Sequence, residues 1–233
     1  MNALAGGGTF ATLPALLAAG LPANVANATS NFALLPGAGA SAWAFRDELG
    51  PVGGVSVKLL AGVTFAAGLV GSALLVLTPT RTFDLIIPWL VLYAFVVLLV
   101  GKRASAWLAS RVTIGARTLV AVQVLLGIYG GYFGGGVGLM MTATYGLLAG
   151  LHPRRMFAPR TLMLAVANTA AAVVFVAAGM VAWMLCVPML LGGIAGGWAG
   201  AAVGKRLPDG AVRAWTLLVT GATTLVFFAR AYW

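Results

Sequence analysis

The chain has 233 residues, of which 61% are apolar and only 18 carry a charge, 14 as Lys or Arg and 4 as Asp or Glu. A soluble domain devotes about a quarter of its residues to charge, so this composition argues against a soluble enzyme, a disordered chain and a disulfide scaffold, and indicates an all-α polytopic membrane protein. The net charge of +10 lies in short segments between apolar runs. That pattern favours contact with anionic membrane lipid over nucleic acid.

Eight apolar stretches follow one another along the chain, separated by charged or proline-rich segments. A helix needs roughly 20 apolar residues to cross the hydrocarbon core of a membrane, so most of these stretches are long enough to do so. The first stretch is not preceded by a charged segment, and we therefore expect no removable signal peptide. The stretches are residues 1–21, 26–45, 54–78, 84–101, 117–150, 159–181, 182–204 and 211–231.

The stretch at 117–150 is too long for a single crossing. Its 34 residues would form a helix of roughly 51 Å, against a hydrocarbon core of about 30 Å. Three consecutive glycines, Gly134-Gly135-Gly136, lie near its middle. Glycines in a row lower helix propensity and permit positive φ. We predict that the helix breaks there.

The distribution of Lys and Arg favours a hairpin at this break. A single broken crossing divides the 14 basic residues seven to seven between the two sides of the membrane. If the stretch instead turns at the glycines and leaves on the side where it entered, all of them except Arg81 and Arg230 share one side. Because cytoplasmic loops concentrate Lys and Arg, we predict a re-entrant hairpin that enters from the cytoplasm.

The chain has two similar halves, each a glycine-broken segment followed by three transmembrane helices. With re-entrant segments each half crosses the membrane an odd number of times, so the halves point in opposite directions, as in the inverted repeats of many secondary transporters. We predict a first repeat at 1–101, a basic cytoplasmic connection at 102–116 and a second repeat at 117–233. The matching segments are Gly6-Gly7-Gly8 with Gly134-Gly135-Gly136, Gly20-Leu21-Pro22 with Gly150-Leu151-His152-Pro153, and Ala26-Asn27-Ala28-Thr29 with Ala158-Pro159-Arg160-Thr161.

The first member of each pair resembles the first-half motif of the sulfite exporter TauE/SafE family of bacterial inner-membrane permeases, and the glycine block at 134–136 and the segment at 158–161 resemble its weaker second-half copy. The resemblance covers essentially the whole chain. It implies a multi-pass protein of the inner membrane that binds a small anionic substrate, contacts membrane lipid and needs no cofactor or metal. Whether the protein forms a homo-oligomer stays open. Family members usually carry a further apolar stretch before the first glycine block. Since five residues precede Gly6, we expect the incoming arm of the first hairpin to be missing.

The resemblance also implies a function. It is that of a secondary transporter or facilitator for small organic or sulfur-containing anions, such as sulfite or the sulfonate sulfoacetate. Two other classes stay open, a non-transporting membrane assembly partner and an intramembrane enzyme. The enzyme is disfavoured because the chain has one His, one Cys and four carboxylates at loops or span edges, which provide no pair of nucleophile and base. The same placement argues against a proton relay through a carboxylate inside the membrane.

The helix N-termini at the glycine breaks are the first candidates for substrate binding. Such ends expose backbone N–H groups and carry partial positive charge, so they attract anions without a basic side chain. Half-helices starting near Thr9 and Gly138 would meet at the midplane from opposite sides and form one cradle. The alternative is that the glycines only allow close helix packing, which we also predict for the glycines of 192–204. The cradle candidates are Gly7, Gly8, Thr9, Gly135, Gly136 and Gly138.

Polar residues at the starts of the second span of each half are further candidates. Their side chains suit either a helix cap or a ligand contact, and the pattern does not choose between the two. For Arg160 we favour a side chain that snorkels to the cytoplasmic interface over one that binds the anion. Deeper in the spans, Asn168 and Gln123 are expected to form interhelical hydrogen bonds rather than substrate contacts. The candidates for substrate binding are Asn27, Thr29, Ser30, Asn31, Arg160, Thr161 and Asn168.

Overall fold

The structure is a computed structural model that describes residues 8–109, 115–149, 153–204 and 209–233. These residues form helices joined by short turns, and the described part of the chain contains no β-strand beyond one isolated bridge between Val52 and Val55. The helices are α1 (Thr9–Ala18), α2 (Ala23–Ala44), α3 (Val57–Leu77), α4 (Thr80–Ala109), α5 (Ala116–Tyr132), α6 (Val137–Ala149), α7 (Pro153–Ala177), α8 (Trp183–Gly204) and α9 (Asp209–Tyr232), with a 3-10 turn at Arg46–Glu48.

Four helices in the described ranges are long and apolar enough to cross a membrane. They lie in α3, α4, α7 and α9, and two shorter apolar helices accompany them at Thr9–Ala18 and Trp183–Ala195. Large apolar side chains such as Leu77, Met184 and Leu225 are exposed on the outside of the bundle. The all-helical, membrane-type architecture predicted from composition is therefore confirmed.

Helix α2 buries an unusual number of polar residues. It begins at Ala23, after Pro22, and Pro22 makes no side-chain cap. The polar cluster between Asn27 and Asn31 therefore lies inside the helix, where each of its side chains is buried. The alternative that these residues cap the helix start is wrong, because α2 starts three residues before the predicted stretch. The corresponding helix α7 also begins early, at Pro153, so Arg160 and Thr161 are not caps either.

Helices α5 and α6 form an antiparallel hairpin around the glycine block. The chain turns at 133–136, where Gly134 and Gly136 have φ values of +75° and +76°. Beyond the turn, the Tyr145 hydroxyl of α6 donates to Oε1 of Gln123 in α5 over 3.0 Å. Contact between residues 22 positions apart requires α6 to run back along α5. The predicted break is thus present, and it reverses the chain direction.

Helices α3 and α5 run parallel and in backbone contact. Near one end, Nε2 of Gln123 donates to the Thr64 hydroxyl over 2.7 Å. Further along both helices, Gly68 faces Gly131, and a side chain on Gly131 would overlap the Gly68 carbonyl oxygen. Still further, Gly71 faces the backbone of α5 in the same way. Small residues thus let these two backbones touch.

Helix α7 lies beside α3 and runs in the same direction. The Thr64 hydroxyl contacts the Met163 sulfur at 3.3 Å, and Gly68 faces Ala170. The second contact lies nearer the C-terminal end of both helices than the first, so the two helices are parallel. Since α5 is also parallel to α3, helices α5 and α7 point the same way. Helix α6, which lies between them in the sequence, runs in the opposite direction.

Two helix pairs join the halves in antiparallel fashion. In the pair α4 and α9, the start of α4 lies at the end of α9, where Asp84 and Arg230 are 4.0 Å apart. In the pair α2 and α7, the end of α2 meets the start of α7 through the rings of Phe45 and Phe157, whose centroids are 4.7 Å apart. The interior of the bundle is filled by apolar side chains, among them Phe10, Phe83, Phe133, Tyr145 and Phe175.

Candidate functional site

Two asparagines of α2 face the turn between α5 and α6. Nδ2 of Asn27 donates to the carbonyl oxygen of Tyr132, the last residue of α5, over 3.0 Å. Nδ2 of Asn31 lies beside Gly134, 3.0 Å from the position that a Cβ would take there. Because residues four positions apart share one face of a helix, both amides project toward the same turn.

Both asparagines have an amide oxygen without a hydrogen bond. Oδ1 of Asn27 and Oδ1 of Asn31 are buried and find no donor among the described residues. Leaving a buried polar atom unpaired costs about 1–3 kcal/mol. The orientation of the Asn27 amide is fixed, since the Tyr132 carbonyl only accepts and must face the NH₂ group. The turn therefore presents buried acceptors that still need a donor.

The start of α6 supplies donors beside them. Within the described ranges, the backbone N–H groups of Gly135, Gly136 and Gly138 have no hydrogen-bond partner, whereas those of Leu139 and Met140 already bond to the carbonyl of Gly136. Unpaired N–H groups at a helix start carry partial positive charge. This end of α6 is consequently suited to an anion.

Neighbouring helices hold the turn rigidly. The Phe10 ring of α1 and the methyl group of Ala94 in α4 lie against Gly136, at 3.1 and 2.9 Å from the position of a Cβ there. The Tyr129 hydroxyl donates to the carbonyl oxygen of Gly135 over 2.7 Å. Glycine at 136 is therefore required both by its positive φ and by the space around it.

The other half of the predicted cradle lies at the start of α1. Gly7 is outside the described residues, and the carbonyl oxygen of Gly8 accepts from the amides of Ala11 and Thr12. Thr9 is buried, and the next residue along, Phe10, is the one that touches Gly136. The structure thus brings the start of α1 against the start of α6.

Three of the candidate hydroxyl groups have hydrogen-bond partners. The Ser30 and Thr12 hydroxyls are 2.6 Å apart and join α2 to α1. The Thr29 hydroxyl oxygen accepts from the amide of Ala182 over 3.0 Å, at the start of α8. The Thr161 hydroxyl donates to the carbonyl of Ala158, one turn earlier in α7. Ser30 and Thr29 thus hold α2 to its neighbours, which leaves Asn27 and Asn31 as the α2 candidates with unmet hydrogen bonding among the described residues.

Arg160 is buried without a negative partner. Its side chain is only 6% exposed, its guanidinium lies over the Phe157 ring at 4.3 Å, and its Nε has no partner among the described residues. Its hydrogen bond from Nη1 to the Thr142 hydroxyl is long, at 3.5 Å. The expectation that Arg160 snorkels is wrong, because a snorkelling guanidinium is exposed.

No carboxylate neutralises this guanidinium within the parts of the chain that the structure describes. The ion pairs there are Arg46 with Asp47, in the 3-10 turn, and Arg230 with Asp84, between α9 and α4. A buried charge without a partner is strongly unfavourable, and an anion bound beside it removes the penalty.

Asn168 lies two turns further along the same face of α7 as Arg160. It is 4% exposed, and its side-chain amide has no hydrogen bond to a described residue. Its neighbour Ala167 touches Gly130, the third residue from the end of α5, so Asn168 is level with the glycine turn. From the rise of an α-helix, Arg160 lies about 12 Å from Asn168 along α7.

Gln123 has a structural role, as predicted. It donates to Thr64 over 2.7 Å and accepts from Tyr145 over 3.0 Å, which satisfies both ends of its amide. Sequence reasoning missed Thr142, Tyr129 and Phe10, which touch Arg160 or the glycine turn. A lone Thr, Tyr or Phe in an apolar run has no periodic signal, so only the fold reveals these contacts.

Metal-binding side chains are not gathered anywhere in the described ranges: no three His, Cys, Asp or Glu residues lie close enough to hold an ion. The single cysteine, Cys186, is buried and free. The polar groups with unmet hydrogen bonding are instead amides, backbone N–H groups and one guanidinium.

A helical bundle with several membrane-length helices, interrupted by a buried turn of polar groups, belongs to the class of multi-pass membrane transporters. The family model of the sulfite exporter TauE/SafE matches residues 1–227, and the chain belongs to this family.

Three curated relatives are similar over most of their length. A probable membrane transporter protein of Haemophilus influenzae is 27% identical over 86% of this chain and 78% of its own length. The probable membrane transporter protein ORF9 of Sinorhizobium sp is 30% identical over 88% of this chain and 77% of its own. The probable membrane transporter protein YfcA of Escherichia coli K12 is 28% identical, with 89% and 75% covered. No solved structure matches the chain.

Proposed function

We propose that this protein is a secondary transporter or facilitator that moves small oxyanions, such as sulfite or a sulfonate, across the bacterial inner membrane. The anion binds at the start of α6, where the N–H groups of Gly135, Gly136 and Gly138 have no partner among the described residues. The observation that carries the proposal is the buried guanidinium of Arg160, which has an unpaired Nε and no carboxylate beside it in the described structure. Such a group requires an anion.

Arg160 and Asn168 define the approach to this site. Both lie on one face of α7, with Arg160 nearer the start of the helix and Asn168 level with the glycine turn. Arg160 attracts the anion by charge, and the turn then replaces its water shell with fixed N–H dipoles. A charge attracts from a distance while neutral amides hold the ion loosely enough for release, which transport requires.

The proposed position of the turn is the membrane midplane, in a re-entrant hairpin. Helices α5 and α7 run parallel and α6 returns between them, as expected if the chain enters with α5, leaves with α6 on the same side and enters again with α7. Both parallel helices start with basic residues, Arg117 in α5 and Arg154 and Arg155 in α7. Since cytoplasmic ends concentrate such residues, this side is the cytoplasmic one.

The contacts between helices support an inverted repeat, with the first repeat at 1–101, a basic connection at 102–116 and the second repeat at 117–233. Exchanging the halves pairs α1 with α6, α2 with α7, α3 with α8 and α4 with α9. An inverted repeat predicts that each packed helix pair has a counterpart after this exchange. The counterpart of the pair α1 and α2 is α6 and α7, that of α4 and α6 is α9 and α1, and that of α3 and α7 is α8 and α2. All of these contacts are present, and the self-paired helices α2–α7 and α4–α9 are antiparallel, as inversion requires.

The test is anion flux into liposomes that contain the purified protein. We expect Arg160→Gln to lower the rate of sulfite uptake at equal folded protein about tenfold or more, because a charge-assisted hydrogen bond contributes about 1.5–3 kcal/mol. Arg46→Gln is the matched control, since Arg46 lies at an exposed turn against Trp43 and Asp47, and it should leave uptake unchanged. Full uptake by Arg160→Gln would contradict the proposed role of this residue, and no uptake by the unmodified protein would contradict the function.

A further inference from the structure

We infer that the glycine turn selects anions that also carry a hydrogen-bond donor, such as hydrogen sulfite or a hydroxyalkyl sulfonate, over anions that only accept hydrogen bonds. This inference rests on the proposed function and narrows its substrate class. It follows from the two kinds of unpaired groups that lie together at the turn.

The turn offers donors and acceptors in about equal measure. The donors are the N–H groups of Gly135, Gly136 and Gly138, which the described residues leave unpaired. The acceptors are Oδ1 of Asn27 and Oδ1 of Asn31, both buried and without a donor in the described structure. Asn27 cannot be flipped to remove its acceptor, because its NH₂ group is bonded to the Tyr132 carbonyl. No hydrogen bond joins the Asn31 side chain to a described residue, and its amide oxygen is buried and unpaired in the structure.

A simple oxyanion satisfies only half of this site. The oxygens of a sulfite dianion or an alkyl sulfonate can only accept hydrogen bonds. These ions therefore pair with the N–H groups but offer no donor to the two buried asparagine oxygens, which stay unpaired. Sites that are built to hydrogen-bond a substrate hydroxyl reject analogues lacking it, because buried groups of the site are then left unpaired. An anion with one O–H group pairs with both kinds of atom.

A sodium ion would also satisfy the amide oxygens. However, both asparagine amides lie at the turn that leads into α6, and the start of that helix carries partial positive charge that disfavours a cation. An anion with a hydroxyl group suits the N–H groups and the amide oxygens at once, and we therefore prefer it.

The inference has a consequence for coupling. Each hydrogen sulfite ion that crosses carries one proton on its own oxygen together with one negative charge. The proton thus needs no carboxylate of the protein inside the membrane, in agreement with the positions of Asp47, Glu48, Asp84 and Asp209 at loops or helix ends.

The test compares two sulfonates that differ by one hydroxyl group. 2-Hydroxyethanesulfonate and ethanesulfonate have the same charge and nearly the same size, and neither changes protonation near neutral pH. In liposomes with the unmodified protein, we expect the hydroxylated ion to reach half-maximal uptake at a concentration at least about tenfold lower. In Asn31→Leu this preference should fall below about threefold, through weaker uptake of the hydroxylated ion.

The control is Asn24→Leu. Asn24 lies on the same helix but bonds to Thr80 and to the backbone of Val25, away from the turn, so this variant should keep the preference. The shift in melting temperature of the detergent-solubilised protein on adding each sulfonate gives a second readout that does not depend on transport, and it should show the same order.

Three outcomes would overturn the inference. Equal uptake of the two sulfonates would refute the selection and leave the transporter function intact. Equal uptake that rises with a sodium gradient would assign the asparagine oxygens to a cation instead. Absence of uptake and of any melting shift for both sulfonates and for sulfite would refute the proposed function together with the inference.

Discussion

At the scale of single residues, the most informative side chains are those whose hydrogen bonding is incomplete. Thr29, Ser30 and Gln123 looked as promising in the sequence as Asn27 and Asn31. The fold separates them, because the first three have partners in neighbouring segments, whereas each of the two asparagines keeps an amide oxygen without a partner among the described residues. Sequence reasoning proposed these residues from polarity in apolar runs, but it could not tell satisfied from unsatisfied groups, since that depends on contacts between residues far apart in the chain.

Gly136 combines a positive φ with close neighbours, and its substitution tests both. Gly136→Ala should lower the midpoint of thermal unfolding, because left-handed backbone costs a residue with a Cβ about 1–2 kcal/mol and the new methyl group meets Ala94 and Phe10. The comparison is Gly20→Ala, which has a φ of +88° but no atom within 4 Å of the added carbon. Unfolding followed by tryptophan fluorescence in detergent should show the larger decrease for Gly136→Ala. Equal decreases would mean that the packing around the turn is loose.

At the scale of elements, small residues control which helices approach closely. The sequence suggested the glycines of 192–204, yet a Cβ on Gly192 meets no atom within 4 Å, and one on Gly193 meets only the Ala33 carbonyl at 4.0 Å. The other glycines of that run have no described side-chain surroundings. The observed close contact is between α3 and α5, where Gly68 and Gly131 bring the backbones together. A glycine pattern predicts the ability to pack closely, whereas the partner depends on topology.

Two alanine substitutions in α3 test this interface. Gly71→Ala should sharply reduce the yield of folded protein, because its Cβ would overlap the backbone of α5 at Ile128. Gly62→Ala lies on the same helix with no atom within 4 Å of the added carbon, so it should be neutral or slightly stabilising, since alanine favours helix over glycine. Folded yield is measured as the monodisperse fraction in size-exclusion chromatography after detergent extraction. Equal yields for the two variants would show that α3 and α5 do not touch in this way.

The limits of the helices illustrate what the sequence could predict. The break at Gly134–Gly136 followed from length and glycine content alone, because both are local properties. The start of α2 at Ala23 was missed, since the buried polar residues of this helix weakened the apolar pattern used to find its boundary. The contacts of α2 with α1, with the start of α8 and with the last residue of α5, which make those polar residues acceptable, are not local.

At the scale of the whole molecule, the proposals depend on how the hairpin of α5 and α6 sits in the membrane. If the hairpin is re-entrant, the glycine turn reaches the midplane from the cytoplasmic side, and Arg160 lies between that side and the turn. If the same segment instead crossed once, α6 would continue away from α5 and the unpaired N–H groups would face a different compartment.

Single-cysteine labelling of the two ends of this hairpin is the most direct measurement. In a Cys186→Ala background, Ala116→Cys at the start of α5 and Ala149→Cys at the end of α6 are treated in intact cells with a membrane-impermeant maleimide, and then again after permeabilisation. The re-entrant hairpin predicts that both positions react only after permeabilisation, because both ends lie in the cytoplasm. Trp233→Cys at the end of α9 is predicted to react in intact cells, which verifies that the reagent reaches the outer face. Labelling of Ala116→Cys and Ala149→Cys from opposite sides would contradict the re-entrant hairpin and, with it, the placement of the anion site at the midplane.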